Sequence, residues 1–373
     1  MKAGRSISDI ATELQHIQNS KLDLMAEPSA ISMGIDLPTN IDSLIAEVEA
    51  HATQSSVHLA VGEDHKFDIN PLGHEQIGRF TKIPKVYYDR MLETQRFDLL
   101  ANNVNTWMGS HPTNVKSKRM VRTVDNTVRA VLSSRYRPLD NYDLMGAIFP
   151  VLDQYGFSIR SCQLTEKRLY IKAIVETLTT DITVGDTIAL GVCIRNSDVG
   201  MGALSVVPLV ERLVCKNGMT INELGTRKYH VGKRFDAADD EAVSKFFSDE
   251  ARAADDKAFW LKVRDTVAGC ADEAILEEIA QTYREAKEAP ITGNGSEGIV
   301  EVVDNVSRKI QLNENETRGV MDQLITGGDI SIYGLANAVT RHSQDVEDYD
   351  RASELETKGW TVINMKASNF SAN

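Results

Sequence analysis

Apolar residues recur at helical spacing toward both ends of the chain and at every second position in its middle. At the start, Ile7, Ile10, Leu14 and Ile17 of ISDIATELQHIQ fall on one helical face. TNIDSLIAEVEAHA repeats that spacing behind Asn40, a residue type that caps helices. The intervening AEPSAISMGIDLPTN reads as a loop, so residues 1–62 are expected to form an N-terminal helical segment. HEQIGRFTKIPKVYYDRMLETQRFDLLANNVNTWMG continues with short helices broken at Pro84 and again around Thr94 to Arg96.

From about residue 115 the period shortens to two, and valine and isoleucine concentrate there. MVRTV and TVRAVL flank Asp125-Asn126, a pair that tolerates the positive φ of a two-residue turn, which predicts a β-hairpin. NYDLMGAIFPVLDQYG predicts a helix stopped near Gly156. FSIRSCQL and RLYIKAIVE predict a second hairpin across TEK, and TIALGVCIR a further strand. VPLVERLVCKNG has Pro208 in a first turn and Asn217-Gly218 at a C-cap. It predicts a helix that packs Val206, Leu209, Val210, Leu213 and Val214 on the sheet. Helix, antiparallel strands and helix in that order predict an α+β fold class, with a core over residues 63–234. Residues 235–373 predict a helical C-terminal region, interrupted at EAPITGNGSEG and closing on GWTVINMKASNFSAN as a short strand and polar tail.

Charge adds a division that the net value of −13 hides. Residues 236–373 hold 28 acidic and 14 basic side chains, whereas the first 235 residues hold 26 and 27. An acidic rear beside a near-neutral front is expected either to screen a basic surface or to fold as a unit of its own. Phe246, Phe247, Phe259, Trp260, Leu261, Ile275 and Ile279 are candidates for the core of such a unit. No run of about 18 apolar residues occurs and the N-terminus lacks a secretory pattern, so a cytoplasmic protein with no membrane contact is expected. Cys162, Cys193, Cys215 and Cys270 form no CxxC pair and read as buried, reduced thiols.

Catalytic motifs are thin. Gly200, Gly202 and Ser205 make a degraded GxGxxG after a strand, but antiparallel neighbours contradict a dinucleotide fold, and the glycines read as a structural turn. Gly293, Gly295 and Gly298 complete the motif without a preceding strand and read as a linker. His65 and His74 read as surface histidines, and Cys215 with His230 as a buried thiol and an exposed imidazole. No metal, cofactor or catalytic residue is expected, and the balance is against an enzyme without closing that reading.

The basic residues carry the sharper signal. Val115 to Pro138 holds Lys116, Lys118, Arg119, Arg122, Arg129, Arg135 and Arg137 against one acid, Asp125, with Tyr136 among them. A simple two-residue hairpin sets Arg122 opposite Arg129, a repulsion that a bound anion would relieve. Arg168, Tyr170 and Lys172 share one face of the second hairpin. Cations interleaved with tyrosine suit single-stranded nucleic acid, since charge follows the phosphates and rings stack on bases. On that reading, removing Arg122 and Arg129 leaves stability equal or higher. The other readings are solvated strand faces, a nucleotide-dependent enzyme using the Gly200–Gly202 turn, and an acidic interaction module acting on a host partner.

IPKVYYDRML, NNVNTW, SSRYRPLDNYDLM, RLYIKA and NSDVGMGALSVVPLVERLVCKNGM resemble a phage- and plasmid-like family catalogued as domain of unknown function 932. The resemblance spans roughly residues 65–225, leaving the acidic third outside it. It implies a mobile-element origin, no cofactor and no accepted catalytic residue. The order of helix, hairpin, third strand and helix is also similar to the core of ring-forming phage single-strand annealing proteins, the Red-beta, Erf and RecT group. That likeness implies ATP-independent strand annealing in DNA recombination, with single-stranded DNA as partner and a homo-oligomer as the working form.

Overall fold

The computed structural model describes residues 1–36, 56–110, 118–222, 226–228, 249–293 and 295–371. The expected helix at 39–52, Lys116, His230, Phe246 and Phe247 lie outside the described residues. The chain is α+β, with two mainly antiparallel sheets and helices packed on each.

The first sheet takes its strands from the front of the chain. Helix α1 (Ile7–Ser20) leads into β1 (Lys21–Ala26), and β2 (Ile31–Asp36), β3 (Ser56–Val61) and β4 (His65–Ile69) follow. Helices α2 (Pro71–Thr81), α3 (Lys85–Glu93) and α4 (Phe97–Ser110) then precede the hairpin β5 (Arg119–Val124) and β6 (Thr127–Ser133). The strand order is β1-β5-β6-β4-β3-β2, antiparallel except where β4 meets β6. Asp125 and Asn126 both have positive φ, at 48° and 62°, as the tight turn requires. Leu59, Phe67, Val121 and Val128 pack under Ile77, Tyr88, Leu100 and Val104 of the three helices.

Helix α5 (Asn141–Gln154) connects to the second sheet. Its strands are β7 (Phe157–Leu164), β8 (Leu169–Thr183), β9 (Asp186–Asn196), β10 (Leu204–Arg212) and β11 (Asn217–Thr220), with β12 (Thr226–Lys228) also against β10. One face buries Ile171, Ala173, Val192, Ile194 and Val206 against α1, α5 and α6 (Asp249–Gly269). Leu190, Val210, Met219 and Ile221 join a second core with α7 (Glu273–Glu288), α8 (Gly295–Lys309), α9 (Glu314–Gly327), α10 (Ile332–His342) and α11 (Tyr349–Ile363). The described part of the acidic region is therefore packed onto the sheet. Phe259 and Ile279 are core residues, whereas Leu261 is 44% exposed.

Four sequence expectations change. VPLVERL is strand β10, not a helix, and Leu213 and Val214 are exposed. Both faces of β10 are covered, so its apolar run has no alternation to distinguish it from a buried helix. Pro208 falls where β10 passes from β12 to β11 as neighbour, a place where a missing N–H interrupts little. AEPSAISMGID is a short 3-10 turn and a strand, because the edge strand β2 buries Ile31 and Met33. GWTVI ends helix α11 instead of forming a strand. His74 is not a surface residue: it is half-buried and its Nδ1 lies 2.9 Å from the Tyr88 hydroxyl.

Burial pushes the His74 imidazole down to about 4, against roughly 6.5 in an unfolded chain. Between those values the unfolded chain binds a proton that the folded chain does not, so stability falls as pH drops. Urea unfolding at pH 7 and pH 4.5 should show the wild type losing about 2 kcal/mol more than His74→Gln. Equal losses would place the imidazole in solvent.

Candidate anion-binding surface

The arginine at the centre of the basic hairpin points inward. Arg122 is fully buried. Its Nε and Nη2 donate to the two oxygens of Asp23 on β1, each at 2.9 Å. Nη2 also donates to Asp140 Oδ1 at 2.7 Å, and Nη1 to the Asp198 carbonyl at 2.6 Å. Burial opposes its charge, but Asp23, Asp140 and Asp198 outweigh that and raise its pKa. Burial likewise opposes ionisation of Asp140, yet Arg122 and Lys21 hold its carboxyl below the usual range. Arg122 thus ties β1, the N-cap of α5 and the β9–β10 connection to one point.

The expected face-to-face arginines are not opposed. A bulge between Arg122 and Thr123 pairs them with Ala130 and Val128, leaving Arg129 as the extra residue. Arg129 donates to Asp198 Oδ2 at 2.9 Å. Carboxylates distant in sequence, not a bound anion, supply the compensation.

The β9–β10 connection that carries Asp198 is held along its length. The Tyr136 hydroxyl donates to the Ser197 carbonyl at 3.0 Å, Gln76 Nε2 to the Val199 carbonyl at 2.8 Å, and Arg168 Nη2 to the Met201 carbonyl at 2.5 Å. Gly200 has φ +77°, and a Cβ there would meet Leu132 Cδ2 at 2.5 Å, so glycine is required twice over. The second stripe is also internal. Tyr170 is buried and donates to Asp350 Oδ1 at 2.6 Å, while Arg168 Nη1 stands 3.7 Å from the same oxygen. Lys172 and Glu356 are both fully buried, 2.6 Å apart, and Lys172 donates to Ser353 at 3.0 Å. Burial works against the lysine charge, and Glu356 more than restores it.

Of the expected binding residues, four reach solvent at one place. The pairing of Arg119 with Ser133 brings Lys118 and Arg119 to the open end of the hairpin, where Arg135 and Arg137 follow β6. Lys118 and Arg135 are exposed, and Arg119 and Arg137 half-buried. Lys118 lies 3.7 Å from Glu27, both about half exposed. The Arg119 guanidinium lies 3.8 Å above the Phe80 ring and forms no ion pair among the described residues. Its Nε is buried without a hydrogen-bond partner.

Sequence reasoning missed the acids Asp23, Asp140, Asp198, Asp350 and Glu356. Asp198 was visible as a charge in the glycine turn, and Asp140 as an acid at a helix start. The rest are paired by the tertiary fold alone. The four cysteines are free thiols, and burial pushes Cys162 and Cys270 up to about 12, which makes them poor nucleophiles. No group of three His, Cys, Asp or Glu among the described residues is arranged to hold a metal ion.

The domain of unknown function family DUF932 matches residues 128–343, more than half of the chain, and the protein belongs to that family. The match corrects the expected span. It begins inside β6 and takes in α6 to α10, helices that share cores with the second sheet. No curated protein and no solved structure matches the chain.

Replacing Arg122 by Met leaves Asp23 and Asp140 without their shared cation in a largely buried setting. Denaturant unfolding should show a loss of about 3–5 kcal/mol. A neutral or stabilising effect, as opposed arginines would give, contradicts the buried triad.

Proposed function

We propose that the protein binds single-stranded DNA at the open end of the β5–β6 hairpin, without ATP, and that it acts by strand annealing as a homo-oligomer. The observation that carries this reading is Arg119. It is a guanidinium set on an aromatic ring, without an ion-pair partner among the described residues, amid Lys118, Arg135 and Arg137. A cation without an ion pair among the described residues, beside Arg122 and Arg129 that each have one, favours an external anion. The Phe80 platform orients the fork, and a phosphate accepts from it with two oxygens. Repeated cations along one edge suit a repeating anion.

The inward-facing Arg122, Arg129, Tyr136, Tyr170 and Lys172 have no contact with the strand on this reading; they support the surface from behind. The annealing role rests on the similarity of element order to the phage proteins, and on the mobile-element setting that the sequence resemblance implies. No helix among the described residues is long and apolar enough to cross a membrane. The reading sets the protein in the cytoplasm, where displaced DNA strands are exposed.

Anisotropy of a fluorescent oligonucleotide, single- against double-stranded and across a salt series, tests the proposal. Single strands should bind more tightly, and Arg119→Ala should lower the slope of log affinity against log salt by about 0.7. Combining it with Arg135→Ala and Arg137→Ala should weaken binding further. Binding unchanged in the triple variant, or absent in the wild type, contradicts the reading.

A further inference from the structure

A second arginine without an ion pair among the described residues lies elsewhere, in an open cleft of about 250 Å³ on the second sheet. Tyr170, Arg195 and Ser205 are cross-strand neighbours on β8, β9 and β10 and line it. Arg168, Gly202 and Ala203 line it from the connecting turns, and Ser353 and Glu354 from α11. The other cations nearby have acid partners: Lys172 pairs with Glu356, Arg351 with both Glu316 at 2.7 Å and Glu354 at 2.9 Å, and Arg168 faces Asp350.

Arg195 has no carboxylate partner among the described residues. Its Nη2 donates to Thr220 Oγ1 at 2.8 Å and to Thr357 Oγ1 at 3.3 Å, and its Nε to Cys193 Sγ at 3.3 Å. Those three contacts hold the guanidinium in place and leave Nη1 unused. A cation fixed in this way, with an N–H group that no protein acceptor takes, is a preorganised donor for a visiting anion.

We propose that this cleft binds a phosphate monoester group, with Arg195 and Arg168 as the charged donors and the Ser205 hydroxyl as a third. A tetrahedral dianion accepts hydrogen bonds from several directions, which suits donors arriving from a strand, a neighbouring strand and a turn. A planar carboxylate would be served by one guanidinium fork. Gly202 belongs to the device, since a Cβ there would lie 2.9 Å from Arg168 Nε and push that side chain aside. The site goes beyond the hairpin reading and does not require it.

Phosphorus NMR of inorganic phosphate and of dAMP, each titrated with the full chain, tests the site. Both resonances should broaden, and Arg195→Met should abolish the effect. Arg195 also bridges two threonines, so Gly202→Ala provides a variant that spares them; it should weaken binding by about tenfold, the cost of one charge-assisted contact. Oligonucleotides with and without a 5′-phosphate separate the sources. Tighter binding of the phosphorylated strand assigns the site to a strand end, and equal binding assigns it to a free phosphate ester. Resonances that the wild type leaves sharp, or that both variants broaden equally, overturn the proposal. Oligonucleotide binding weakened in Arg119→Ala while dAMP still broadens separates the two sites, and failure of DNA binding alone leaves this one standing.

Discussion

A guanidinium taken wholly out of water must find partners for its charge and its donors, and Arg122 finds them on three separate elements. Asp23 brings the edge strand β1, Asp140 the start of α5, and the Asp198 carbonyl the connection between β9 and β10. Removing any one partner leaves buried charge unsettled, so the three elements are held in mutual register. That connection is in turn gripped from both sides, by Gln76 on α2 and Tyr136 just after β6 on one and by Arg168 just before β8 on the other. The glycine-rich turn is thus a joint between two halves of the fold, and its shape follows from what it must touch.

The same constraint sorts the basic residues. Seven cations between Val115 and Pro138 look alike in sequence, yet the fold gives the six described ones different surroundings. Arg122 and Arg129 are neutralised from within, and Tyr136 is spent on a carbonyl. Lys118, Arg119, Arg135 and Arg137 lie at the hairpin's open end. Charge density alone overstates a binding surface, because several of these cations are spent inside the protein. Arg119 and Arg195 stand out as arginines without an ion pair among the described residues, one on an aromatic ring and one over a cleft.

Much of the fold was legible where a local rule governs it. The Asp125-Asn126 turn, the helix ended by Gly156 and the breaks at Pro84 follow from backbone preferences that act within a few residues. Strand β10 was not legible, because burial on both faces erases the alternation that distinguishes a strand. The partners of the arginines were out of reach for a different reason. Asp23 lies 99 positions from Arg122, and no spacing rule connects them. Likewise, composition left the acidic C-terminal region either a screen for a basic surface or a helical unit of its own, whereas its apolar faces close a core with the second sheet and Glu356 neutralises a buried lysine there.

The central claim is that Arg122 joins the two sheets through the β9–β10 connection, and hydrogen exchange measured by mass spectrometry on Arg122→Lys tests it most directly. Lysine keeps the charge and loses the fork, so the partners separate without an abrupt loss of compensation. Faster exchange should appear together in β1, in the first turn of α5 and across residues 197–203, while helices α7 to α11 keep their protection. Acceleration confined to the β5–β6 hairpin would contradict the account, because it would mean that the arginine stabilises its own strand pair and nothing beyond it.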